Sequence, residues 1–322
     1  MRPITYKEAE SLMNNIICIA GPTASGKTAL AVELAKEFAG EVISCDSMQI
    51  YRRMDIGTAK PTADEMQGIP HHMLGVADPE EDFSVSRYCD LATPILDDIL
   101  SRGKTAIIAG GTGLYMDSLI KGNDFAPVPA TGHREKLEAK LEAVGLDALL
   151  TELDAIDPEA AERSQRNPRR VIRALEVYFE TGKTITQHNL ETQAIPPRYN
   201  PLYLGLDFDP RALLYDRIDR RVTIMLEAGL EKEIRDLLSS GLDPHCTALQ
   251  AIGYKEFVAA LEGRCTMEEA ADEGRKAPRR YAKRQLTWFR RNKAMHWLTR
   301  RADTTAEEII EMARQVIRNF DN

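Results

Sequence analysis

The chain has 322 residues, more than one minimal domain needs, and its 43% hydrophobic and 29% charged residues are the balance of a globular protein with a real core. No apolar run approaches the roughly 18 residues of a membrane helix, and the opening Met1 to Glu10 is mixed polar, carrying Glu8 and Glu10, unlike a secretory signal. The net charge of −8 argues mildly against a nucleic-acid partner, and five cysteines with no C-x-x-C pair argue for reduced thiols in a cytoplasm over disulfides or zinc.

In chain order, Asn15 to Ala20 is a short apolar run rich in β-branched residues and ended by Gly-Pro, which predicts a buried strand. Thr28 to Phe38 has helical spacing, with Leu30, Leu34 and Phe38 on one side. Val42 to Cys45 predicts a second strand that delivers Asp46 at its carboxyl end. His71 and His72 match no metal spacing and are expected to be structural or loop residues. Thr105 to Ala109 predicts a third strand, breaking into Gly110-Gly111-Thr112-Gly113. From about Gly122 to Asn200 the strand signal disappears, and Arg134 to Val144, Asp147 to Leu153 and Pro158 to Ser164 read as helices. Asn167-Pro168 opens another, with Asn as N-cap, Pro at the first position and Gly182 as the stop. Leu202 to Phe208 and Met295 to Leu298 predict two further strands, separated by a helical stretch through Leu214, Ile218 and Val222.

Gly21-Pro22-Thr23-Ala24-Ser25-Gly26-Lys27-Thr28 matches G-x-x-x-x-G-K-[ST] between the first strand and the first helix, the context that motif requires. Backbone N–H groups there are preorganised donors to phosphate oxygens, Lys27 would neutralise the terminal phosphate, and Thr28 would help to hold Mg²⁺. The predicted class is therefore α/β, a P-loop NTPase-like, mostly parallel sheet flanked by helices. Residues 1–121 and 201–322 are expected to form the core, and 122–200 an all-helical insertion domain. A P-loop leaves the ligand open. No N-K-x-D segment marks a guanine site, and the strand at Thr105 to Ala109 ends in Gly-Gly where an ATP-driven motor carries an acid. A small-molecule or nucleotide kinase and a transferase with a diphosphate-bearing donor both remain.

Charge is unevenly spread. Between Glu273 and Asp303 there is no carboxylate, while Arg279, Arg280, Lys283, Arg284, Arg290 and Arg291 recur at near-helical intervals after Pro278. That stripe is what an RNA backbone would meet. Trp288 and Phe289 beside it either pack inward or stack.

Four further segments follow the P-loop: Asp46-Ser47-Met48-Gln49-Ile50-Tyr51, Asp55-Ile56-Gly57-Thr58-Ala59-Lys60-Pro61, Gly110-Gly111-Thr112-Gly113-Leu114-Tyr115, and Tyr281-Ala282-Lys283-Arg284-Gln285-Leu286-Thr287-Trp288-Phe289-Arg290. In this order, from about Ile16 to about Leu298, the chain resembles the tRNA dimethylallyltransferase (tRNA isopentenyltransferase) family, in its bacterial form without a Cys/His zinc-finger extension. The resemblance implies transfer of a dimethylallyl group from dimethylallyl diphosphate to the exocyclic amine of the adenosine 3′-adjacent to the anticodon. The P-loop would then hold the donor's diphosphate, with Mg²⁺ and without ATP. The partner would be a tRNA anticodon stem-loop, and the enzyme is expected to act as a monomer in the cytoplasm.

An adenine amine is a poor nucleophile, so a carboxylate that accepts its proton would help, and Asp46 is the candidate base. Mg²⁺ ligation or helix capping by the same carboxylate is the alternative. Thr23 is placed to hydrogen-bond the leaving oxygen or to orient the base. Ser47, Met48 and Gln49 are expected to line the base pocket. The resemblance adds Arg221 as the clamp on the leaving diphosphate. It also points to tRNA contacts at Thr112 and Arg134, at Arg169, Arg170 and Arg173 in the insertion, and at Gly253, Tyr254 and Lys255, while the basic stripe adds Arg280, Lys283 and Arg284. An RNA-binding module with a regulatory P-loop is the third reading, in which Asp46 would take no part in turnover.

Overall fold

Ile16–Ala20 forms β1, buried at every position, as a β-branched run closed by Gly-Pro requires of a strand covered on both faces. The computed structural model describes residues 15–122 and 131–320; the Met1 to Glu10 stretch and residues 123–130 of the expected insertion lie outside them. After the P-loop come α1 (Lys27–Glu37), β2 (Glu41–Cys45), the one-turn α2 (Ala63–Met66) and β3 (His71–His72). Next are α3 (Val85–Ser101), β4 (Ala106–Gly110) and α4 (Gly113–Lys121). Five helices follow: α5 (His133–Val144), α6 (Leu146–Ile156), α7 (Pro158–Ser164), α8 (Pro168–Thr181) and α9 (Ile185–Ala194). The chain returns through β5 (Leu202–Phe208), α10 (Ala212–Glu227), α11 (Leu230–Ser239) and a 3₁₀ turn at Ala248–Gln250. It ends in α12 (Lys255–Leu261), α13 (Met267–Phe289), β6 (Met295–Arg300) and α14 (Ala306–Phe320).

The strands form one sheet in the order β3-β2-β4-β1-β5-β6, and every pairing is parallel. The P-loop strand therefore lies inside the sheet, and its core of Ile17, Ile19, Leu30, Leu34, Leu204 and Leu298 is covered by α1 and by Ile309 and Ile317 of α14. Contacts divide the chain into two compact units, residues 1–122 with 198–322, and residues 123–197. The second unit has its own core of Leu137, Leu149, Leu153, Val171, Ile172 and Leu175.

Local signals act as expected at α8. Asn167 accepts from the Arg170 N–H, Pro168 opens the helix, and Gly182 closes it at φ +70°. His71 and His72 form a short edge strand beside β2, where His72 Nε2 lies 2.9 Å from the buried Glu41 carboxylate. The basic helix begins well before Pro278: Thr266 and Glu269 form a capping box, and α13 runs on through the proline. Among the described residues no helix is long and apolar enough to cross a membrane.

Candidate functional site

Ala20, Gly110 and Cys45 are register partners across β1, β4 and β2. The residues that follow them, Gly21, Asp46 and Gly111, therefore leave the sheet side by side at its carboxyl end, where parallel α/β sheets take ligands. Close approach makes two of the glycines obligatory. A Cβ on Gly110 would lie 1.8 Å from the Cys45 carbonyl oxygen, and one on Gly113 would lie 2.2 Å from the Trp288 ring.

The P-loop turns through Ala24 (φ +62°) and Gly26 (φ +97°) before α1 begins at Lys27. The Lys27 ammonium donates to the Gly21 and Pro22 carbonyls at 3.0 and 2.7 Å. Burial lowers its pKa to about 8, against the Asp46 carboxylate that favours the charged form, while Arg221 acts with the burial. Arg221 is likewise pushed down by burial and held up by Asp46, and its guanidinium donates to the Ala59 carbonyl at 3.4 Å. Lys27, Asp46 and Arg221 thus share one field. Arg217, one helical turn before Arg221, supports the loop from below by donating to the Ala24 carbonyl at 2.8 Å.

The Ser25 hydroxyl is buried with no hydrogen-bond partner among the described residues. An orphaned donor inside a phosphate cradle fits an oxyanion as the missing partner. Among the described residues no group of three or more His, Cys, Asp and Glu could hold a metal ion by itself. A Mg²⁺ held by the Thr28 hydroxyl therefore fits only with ligand phosphate oxygens and water completing its shell.

Asp46 uses Oδ1 to accept from the Met48 and Gln49 N–H groups, at 2.9 and 3.4 Å, and so caps its own turn. Ser47 is tied down by Thr112, whose hydroxyl accepts from the Ser47 N–H at 3.0 Å, while the Thr112 N–H donates to the Cys45 carbonyl. Gln49, expected at the base pocket, turns its amide into the framework. It accepts from the Ser44 hydroxyl at 3.1 Å and donates to the Thr58 and Ala59 carbonyls at 3.2 and 3.1 Å. Met48 is half-buried beside them.

Sequence reasoning gave no role to Tyr281 or Gln285, and both belong to this site. Burial raises the Tyr281 phenol to about 12, with the Asp46 carboxylate adding to the effect and the Thr112 hydroxyl opposing it. Gln285 accepts from the Thr23 N–H at 3.0 Å and donates to the Gly111 carbonyl at 2.9 Å. Its signal lay in the helical period, since it is a polar residue on the side carrying Ala282, Leu286 and Phe289, all buried.

The expected RNA contacts divide. Tyr254 is a correction, because its ring is wholly buried and its hydroxyl donates to Glu233 at 2.5 Å, leaving no surface for RNA. Beside it, the Gly253 N–H donates to Glu256 at 2.8 Å, and the Lys255 ammonium is exposed, 3.9 Å from the Glu256 carboxylate. On α13, Arg280 pairs with Glu273 and Arg279 with Asp219. Lys283 and Arg284 are exposed with no carboxylate partner among the described residues, and Arg284 lies 5.5 Å over the Tyr281 ring. Trp288 packs inward, donating to Asp117 at 2.9 Å, and Phe289 is buried. In the second unit Arg169, Arg170 and Arg173 are exposed along α8, and Arg134 and Arg173 share the Glu176 carboxylate.

Residues 49–292 match the family model described as IPP transferase, and residues 14–76 the model described as Isopentenyl transferase. The tRNA dimethylallyltransferase of Acetivibrio thermocellus is 46% identical over 310 residues, which cover 96% of this chain and 99% of that one. The crystal structure of the full-length tRNA isopentenylpyrophosphate transferase of Bacillus halodurans matches with a TM-score of 0.71 at 43% identity, over 96% of this chain and 98% of that chain. A eukaryotic dimethylallyltransferase, solved in crystallographic snapshots acting on tRNA, matches with a TM-score of 0.80 at 30% identity, over 95% of this chain and 80% of that chain.

Proposed function

The chain belongs to the tRNA dimethylallyltransferase family, and from that premise we propose that it transfers a dimethylallyl group from dimethylallyl diphosphate to N6 of the adenosine 3′-adjacent to the anticodon, releasing diphosphate. The observation that carries this reading is the meeting of Lys27, Arg221 and Asp46 in one half-buried field at the carboxyl end of the sheet. Two cations and a carboxylate are what this displacement needs, because the bond to a diphosphate oxygen breaks while an amine loses a proton.

The donor's diphosphate lies in the P-loop, against its N–H groups, the Ser25 hydroxyl and the Lys27 ammonium. Arg221 approaches from α10 and neutralises the charge that grows on the departing oxygen. Mg²⁺, held through Thr28, supplies further neutralisation of the diphosphate when bound. Asp46 keeps Oδ1 on its own turn and accepts the amine proton at Oδ2 as the C–N bond forms. Thr23, at the rim of the loop, orients the leaving oxygen or the base. Partial burial of Lys27 and Arg221 strengthens each of these interactions.

The adenosine must leave its stack to reach Asp46. Lys283 and Arg284 on α13, Lys255 beside Gly253, Thr112 at the loop rim, and Arg134, Arg169, Arg170 and Arg173 of the second unit are the groups we assign to the anticodon stem-loop. One chain suffices for the reaction, which we place in the cytoplasm.

The test is incubation of purified protein with unmodified tRNA, Mg²⁺ and labelled dimethylallyl diphosphate, in parallel with Asp46→Asn. Label entering tRNA, with turnover lowered about 10²–10⁴-fold in the variant, is the expected result. Absence of label with the wild-type protein, accompanied by ATP consumption on a panel of small molecules, would replace this reading by the kinase.

A further inference from the structure

Among the described residues, one polar side chain of α13 hydrogen-bonds the donor loop. Gln285 is buried and bridges two loops that are distant in sequence, accepting from Thr23 N–H of the P-loop and donating to the Gly111 carbonyl after β4. The bridge demands a glycine at 111, since a Cβ there would lie 2.2 Å from the Gln285 amide nitrogen. The Ser25 N–H closes onto Pro22 within the loop, whereas the Thr23 N–H has its acceptor on α13. The two residues before it, Lys283 and Arg284, are exposed to solvent, and the next residue, Leu286, packs in one cluster with Ala24 of the P-loop. A helix is stiff over such a distance. Whatever draws Lys283 and Arg284 outward moves Gln285, and with it Thr23.

We propose that Gln285 is a positioning residue that couples the two substrates: its amide sets the P-loop at Thr23 according to where the RNA holds α13. The proposal rests on the reading of α13 as the RNA-facing helix and of the P-loop as the diphosphate site. RNA engagement then preorganises the donor cradle, and the diphosphate, by linkage, tightens RNA binding by the same factor.

Two variants separate this role from simple packing. Gln285→Met keeps the length and removes both hydrogen bonds. Gln285→Glu accepts from Thr23 as a carboxylate but faces the Gly111 carbonyl with a second acceptor. Once protonated it again donates to Gly111 and accepts from Thr23. The binding of inorganic pyrophosphate with Mg²⁺ is measured with and without an unmodified anticodon stem-loop RNA, and prenyl transfer is followed against pH.

In the wild-type protein the RNA should tighten pyrophosphate binding by about 5–150-fold, the usual span of coupling between sites. In Gln285→Met that factor should collapse toward one, while RNA affinity without pyrophosphate is unchanged. The ratio of Gln285→Glu to wild-type turnover should rise as pH falls, which a packing defect does not produce. Coupling absent from the wild-type protein, coupling retained by Gln285→Met, or a ratio flat with pH would each overturn the proposal. If Gln285→Met does not fold, the pH ratio of Gln285→Glu decides. Wild-type protein that binds both ligands with coupling but transfers no label would instead sink the transferase reading.

Discussion

Two tyrosines, one of a motif segment and one an expected tRNA contact, have opposite fates. Tyr281 is half-buried beside Asp46 and Thr112, whereas Tyr254 lies wholly inside. Its hydroxyl meets Glu233, which also accepts from the Asp55, Ile56 and Gly57 N–H groups at 2.8, 2.8 and 3.1 Å. Gly57 has no side chain because the Tyr254 ring occupies that space, 2.4 Å from where a Cβ would stand. Glu233 thus holds the loop whose Ala59 carbonyl receives Arg221, and Tyr254 completes that hold. Removing only the hydroxyl leaves the carboxylate one donor short. Tyr254→Phe should cost about 1–3 kcal/mol of stability, read by chemical denaturation, with tRNA affinity unchanged. A weakened tRNA affinity with intact stability would return Tyr254 to the RNA surface. Sequence alone could not make this distinction, because the partner of Tyr254 is 21 residues away on another helix and belongs to no motif.

At the opposite end of β2 from Asp46, Glu41 is 4% exposed and collects Arg102, Lys104 and His72. Arg102, with burial opposing it and Lys104 and His72 helping, holds the Glu41 carboxyl well below the usual carboxylate range. A carboxylate depressed in the folded state adds stability that is fully present above its unfolded pKa and is lost as pH falls through the folded one. Glu41→Gln should therefore cost about 2–3 kcal/mol near neutrality, less than a fully buried pair because Arg102 and Lys104 stay partly in water. The gap between variant and wild type should close as pH falls below 4.5, the ordinary value for glutamate. A gap constant with pH would mean that packing, not charge, holds this end of the strand. The cluster escapes sequence reading because its members come from β2, β3 and the turn after α3. The strands themselves were legible because β1, β4 and β5 are nearly continuous apolar runs. Elements without buried residues gave no such signal. β3 has two half-buried residues at a sheet edge, and no described residue of α9 is fully buried, so neither carries a hydrophobic period.

Over the whole molecule, a net charge of −8 has to coexist with RNA binding. The sequence shows a carboxylate-free window but not which acids pair with its cations, and four do, two of them from distant segments. Arg275 pairs with Asp272, Arg279 with Asp219, Arg280 with Glu273, and Arg290 with Asp207. Only a folded chain can bring Asp207 and Asp219 to the stripe. The legible signal was thus a potential RNA surface larger than the one that is free. A cation already paired with a carboxylate must exchange it for a phosphate, which releases few counterions and gains little. An unpaired one replaces the condensed counterions of the RNA outright. Lys283→Ala should therefore lower the slope of log Kd against log salt by about one and weaken all tRNAs alike. Arg280→Ala should change the slope by clearly less, because Glu273 is left free to repel the RNA in its place. Binding isotherms for both variants across a salt series decide the matter. Equal slope changes would mean that the Arg280–Glu273 pair opens freely and the whole stripe faces the RNA. A change for Arg280 alone would move the contact from the later turns of α13 back toward Glu273.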